Sequence, residues 1–168
     1  MDAIWKLFSG MRTLLKLMGA ACLVGMTFLT CADVVGRYLG HPIFGSVELV
    51  GFMATLAAAL ALPYTHEMRG HIGVEIFVQT LSEKTQTIID VCTNFVALVL
   101  FAVVTWRMFL YAGTIRRSGE VSMSLEFPEH VIITITAVCF LFFALTIVEE
   151  IVKTIKPVSY THLTLPTN

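Results

Sequence analysis

The residues best equipped for chemistry stand together at 66–71, His66-Glu67-Met68-Arg69-Gly70-His71. Two histidines beside a glutamate are the raw material of a zinc peptidase, in which imidazoles one helical turn apart grip the metal and the acid activates a water. Here the histidines are five residues apart, about 140° around a helix, and do not aim at one ion. No Ser-His-Asp order, P-loop or GxGxxG occurs, and the GRYLG of 36–40 has no strand before it. The four cysteines, Cys22, Cys31, Cys92 and Cys139, each lie in an apolar run without a CxxC pair and read as small buried hydrophobes. All five histidines lie outside the apolar runs, where none can hold a haem inside a bilayer. Nor does an acid sit at the middle of a run, as a proton or ion path requires. We therefore read no catalytic, metal or cofactor site and expect a protein that is not an enzyme.

What such residues decorate is a membrane protein. The chain has 168 residues, 57% of them hydrophobic and only 14% charged, with a mean hydropathy of +0.82. That is more apolar surface than a soluble core of this length can bury, so its solvent is membrane lipid. The net charge of −1 and the scattered Lys and Arg residues give no footprint for nucleic acid. The central stretch is 36–77, where the uncharged run 49–65 lies between Glu48 and the polar segment opened by His66. Those 17 residues make about 26 Å of helix, near the hydrocarbon thickness of a bilayer. Gly51, Thr55 and Ala59 recur every four residues, as do Ala57 and Ala61, which predicts a small-residue face where another backbone approaches closely.

The remaining runs predict four transmembrane helices in all, at about 14–35, 48–65, 88–111 and 130–150. Residues 1–16 carry Lys6, Arg12 and Lys16 with Trp5 and Phe8 on an amphipathic lead-in, and no A-x-A cleavage region follows the first run, which reads as a retained helix. Asp33 and Arg37 are spaced to pair along one helix. Pro42 and Gly45 break the chain, with Ser46 placed to cap the second helix. The polar residues Glu75, Gln79 and Glu83, repeating every four positions among apolar ones, predict an interfacial amphipathic segment between helices 2 and 3. Arg107 interrupts the third run and should either snorkel to the head groups or meet an acid on a neighbouring helix. Glu149 and Glu150 face Lys153 and Lys156 at helical spacing, and Pro157 ends the last helix. We take 1–157 as a single four-helix domain, and the Thr-rich, uncharged residues 158–168 as a non-native or disordered tail. With the N-terminus inside, seven Lys and Arg residues fall on inside segments and four on outside ones, which favours both termini in the cytoplasm.

The turn GRYLGHPIFGSVELV, the Ala-rich second span, RGHIGVE after it and the hairpin SLEFPEH before the last span resemble the small four-helix membrane subunit, DctQ-type, of tripartite ATP-independent periplasmic (TRAP) transporters over residues 10–156. The most specific pieces are Arg37 followed by Glu48, and His71-Ile72-x-Val74 with Glu75 next, where the family commonly has Asp. The resemblance implies a secondary transporter of the bacterial inner membrane. In it a periplasmic solute-binding protein captures an organic anion such as a C4-dicarboxylate or sialic acid, a large permease subunit moves it by symport with sodium, and the small subunit braces the large one. The coupling sodium is expected in the large subunit, and this chain, too short to be fused to it, is expected to need it as a separate partner. Candidate interface or structural residues are Arg37, Glu48, Gly51, Thr55, Ala59, Arg69, His71 and Glu75. Glu48 reads equally as an acid favoured by the helix dipole or as a partner of Arg37 or of the large subunit. A self-sufficient four-helix carrier would require a mid-span acid, and a membrane anchor of a respiratory complex would require histidines inside the spans.

Overall fold

A computed structural model describes residues 2–67 and 83–155. Four helices fill them: α1 (Asp2–Tyr38), α2 (Ser46–Glu67), α3 (Glu83–Ser118) and α4 (Glu129–Ile155). Each contains a stretch long and apolar enough to cross a membrane, so the all-α, four-span fold read from the sequence holds.

Two helices overrun the expected spans. α1 has 37 residues and α3 has 36, about 55 Å each at 1.5 Å per residue, against roughly 30 Å of hydrocarbon. The apolar run dictates only the part that must lie in lipid. Its polar flanks contain no proline in either helix, so the hydrogen-bond ladder continues through them. Residues 83–87, which precede the expected third span, already belong to the first turns of α3. The rest of the expected interfacial segment, with Arg69, His71 and Glu75, lies outside the described residues, as does the tail 158–168.

The helices form two hairpins. α1 packs along α2 and α3 along α4, and the hairpins meet through α2 and α4, giving the order α1–α2–α4–α3 across the unit. The burial follows from that order. α2 and α4 carry the core, in which Ala59, Leu60 and Cys139 are packed by Leu15, Cys22, Leu56 and Phe140. Farther along α4, Phe143 and Ile147 are buried too. α1 and α3, each with a neighbour on one side, leave large apolar side chains outward, among them Leu17, Val24 and Phe28 on α1 and Phe95, Val96 and Leu100 on α3. In lipid such faces cost nothing, because the tails are as apolar as leucine.

Small residues are used where the first hairpin is tightest. A Cβ on Gly19 would stand 3.3 Å from that of Leu60 and 3.6 Å from the carbonyl of Ala57. The Ala57 stripe therefore does receive a close backbone, that of α1. The second hairpin closes with rings: Phe101 of α3 meets Phe140 and Phe143 of α4 edge-on, with centroids 5.7 and 4.6 Å apart, arrangements that suit the ring quadrupoles.

Candidate functional site

The polar side chains gather at the two ends of the bundle. At the end formed by the hairpin loops, α1 stops in a two-bond cap: the Gly40 N–H bonds to the Arg37 carbonyl at 3.2 Å and the His41 N–H to that of Gly36 at 2.8 Å. This pattern needs a left-handed residue just past the helix, and Gly40, at φ +79°, supplies it. The returning chain is then fastened by Asp33. One carboxylate oxygen accepts the Ile43 N–H at 2.9 Å and the other accepts Arg37 Nε at 2.7 Å. The Asp33–Arg37 pair expected from spacing is present, and it also holds the loop.

Glu48 makes the corresponding link between the hairpins. It sits in the first turn of α2, and its two oxygens accept the backbone N–H groups of Ser124 at 2.7 Å and Leu125 at 3.0 Å. The 119–128 loop is thereby tied to the head of α2, with Phe52 and Phe127 in ring contact beside it at 5.9 Å. The loop also braces itself: Ser122 N–H bonds to the Phe127 carbonyl at 2.9 Å, and Val121 bridges Pro128. Glu48 does not pair with Arg37, whose Nε is engaged by Asp33. Ser46, expected to cap α2, is its first residue and is buried. Gly45 takes the cap position instead, its carbonyl accepting the Leu49 N–H at 3.1 Å.

At the opposite end three contacts between helices distant in sequence gather. Arg12 Nη1 of α1 donates to Glu149 Oε2 of α4 at 3.1 Å, with both side chains more than nine-tenths buried. One turn along α1, Lys16 places its ammonium 3.9 Å from the centre of the Tyr64 ring on α2, a favourable approach of a cation to a ring face. His66, in the last turn of α2, sets its ring edge-on to Phe143 of α4 at 5.5 Å. Three contacts thus join α1 to α4, α1 to α2 and α2 to α4. His66 closes the second membrane-crossing stretch and His130 lies at the start of the fourth, so both belong to span ends instead of lying outside the spans. Glu149, assigned from spacing to Lys153 and Lys156, reaches across the bundle to Arg12. Two opposite charges at one end of the first and last runs were the available signal.

The predicted small-residue face divides. Gly51 and Thr55 are exposed and Ala59 is buried in the core. A Cβ added at Gly51 meets nothing within 4 Å, and Thr55 spends its hydroxyl on the Gly51 carbonyl at 2.9 Å. A period of four lags the 3.6-residue turn, so the stripe winds from the outer surface to the interior over two turns. Among the described residues no three His, Cys, Asp or Glu side chains come together as metal ligands would.

A comparison with curated proteins finds no match. Residues 26–156, most of the chain, match the family described as tripartite ATP-independent periplasmic transporters, DctQ component. The chain belongs to that DctQ family and is a small membrane component of a TRAP transporter.

Proposed function

We propose that this component braces the large permease subunit of a sodium-driven TRAP symporter, which takes up an organic anion delivered by a periplasmic solute-binding protein. Family membership is the observation that carries the reading. The use of polar groups supports it: Asp33, Glu48, Arg12 and Glu149 are spent on tying helices and loops together, which suits a rigid brace. On this reading the coupling sodium and the substrate are held by the large subunit, and specificity lies there and in the binding protein. In proteoliposomes this chain alone should drive no sodium-dependent uptake of any carboxylate, and uptake should appear only with the large subunit and the binding protein. Robust transport by the chain alone would sink the proposal.

The exposed part of the small-residue stripe belongs to the same reading. Gly51→Leu fills open space on the outer surface and should leave the melting temperature of the isolated subunit unchanged while weakening recovery of the large subunit.

We further place both termini in the cytoplasm of a multi-pass protein of the bacterial inner membrane, from the distribution of Lys and Arg. A cysteine introduced at 43 or at 123, where Met123 is fully exposed, should react with an impermeant maleimide from the periplasm. Reaction from the cytoplasmic side alone would invert the topology.

A further inference from the structure

Of the arginines in the described helices, Arg107 stands out by depth and by company. Phe101 lies against Phe140 and Phe143. Six residues farther along the antiparallel pair, Arg107 comes level with Ile135 or Thr136 of α4. The uncharged run of α4 begins at Val131, so Arg107 sits about 6–8 Å inside the loop-side edge of the apolar zone, at 1.5 Å per residue. It is exposed. Arg12 and Arg37 each have a carboxylate within the chain, whereas Arg107 makes no ion pair or hydrogen bond among the described residues. Above and below it on the same outward face stand Leu100, Val103 and Leu110, each at least half exposed.

A charged guanidinium at that depth must be satisfied by a head group or by a carboxylate. Geometry separates the two. Side chains on a helix lean toward its N-terminus, and the N-terminus of α3, Glu83, is at the far end of the bundle from the Ser118 end that Arg107 is near. Arg107 therefore leaves the backbone pointing toward the middle of the apolar zone, away from its nearest head groups. To snorkel it must double back along its own helix. A carboxylate on an adjacent helix at this depth needs no such reversal, and Leu100, Val103 and Leu110 offer apolar packing around the pair.

We infer that the outward face of α3 centred on Arg107 is the surface on which a helix of the large permease docks, presenting a carboxylate to the guanidinium. The inference rests on the bracing role proposed above and adds to it the face and the charge of the contact. Breaking one half of a desolvated charge pair removes most of its binding. In the transporter co-expressed with its tagged large subunit, Arg107→Glu should lower recovery of this chain roughly tenfold or more, and Arg107→Leu should lower it in the same direction. Arg107→Lys should retain more than either. A photo-crosslinking residue at 103 or 110 should form an adduct with the large subunit. The melting temperature of each variant purified alone should match that of the unsubstituted chain, since the exposed residue makes no ion pair or hydrogen bond among the described residues. Undiminished recovery of Arg107→Glu and Arg107→Leu, crosslinking to lipid alone, or a lowered melting temperature of the isolated variants would each overturn the inference. Failure of the unsubstituted chain to recover any large subunit would overturn the bracing role itself, a different result.

Discussion

Truncation of Glu149 to alanine should destabilise the isolated four-helix unit by roughly 3–5 kcal/mol, the range for removing one member of a buried ion pair. The reason lies in what is left behind. Arg12 and Glu149 are each less than a tenth exposed, and Glu149→Ala takes a carboxylate away from a buried guanidinium. Arg12→Ala should cost a similar amount from the other side. The double variant Arg12→Met with Glu149→Leu should recover much of the loss, because a well-packed apolar pair removes both desolvation penalties at once. Unfolding measured in mixed detergent micelles for the four proteins closes the cycle, and independent, additive losses would show that the two charges are not coupled. The pair also joins the first helix to the last, which otherwise flank α2 on different sides in the order α1–α2–α4–α3. Breaking it should therefore loosen α1 while α3 and α4 stay packed.

This pair marks the boundary of what the residue pattern discloses. Apolar length alone dictates the four spans, because a helix crossing lipid must satisfy its own backbone and needs about 20 residues to do so. Local polar contacts are legible for the same reason of proximity: Asp33 and Arg37, four apart, do pair. Glu149, too, has cations at helical spacing, yet its bond goes to Arg12, 137 positions away. Nothing local separates these cases. Side-by-side order decides them, and order depends on close-packing details such as Gly19 against Leu60. Periodicity misleads in a related way along α2, where a stripe counted in fours divides between an exposed Gly51 and a buried Ala59. Glu48 is the intermediate case. Its type and place at a helix start are plain from sequence, but its acceptors' partners, the N–H groups of Ser124 and Leu125, lie 76 and 77 positions on.

The link that Glu48 makes between the two loops is exposed to a collision at one glycine, and Gly45→Val should damage it. Gly45 holds φ at +71°, a conformation that costs an L-residue roughly 1–2 kcal/mol and a β-branched one more. A Cβ there would also stand 2.5 Å from Cδ2 and 2.6 Å from Cγ of Leu125. Leu125 must turn its side chain aside, while its backbone stays held by its N–H bond to Glu48 at 3.0 Å. Overpacking of this kind adds roughly 1–3 kcal/mol, so the substitution should cost about 2–5 kcal/mol in all. Gly40 provides the control. It has a similar φ of +79° but nothing within 4 Å of an added Cβ, so Gly40→Ala bears the backbone cost alone and Gly45→Ala should exceed it by the collision with Leu125. If the collision propagates as argued, Gly45→Val will also free the 119–128 loop. Amide exchange at Ser124 and Leu125 should then quicken by roughly tenfold or more. Glu48→Gln should produce the same exchange signature without the backbone strain, since an amide offers one acceptor oxygen where the carboxylate offers two. Equal losses for Gly40→Ala and Gly45→Ala, with exchange at Ser124 and Leu125 unchanged in Gly45→Val and Glu48→Gln, would mean that the loops are held independently.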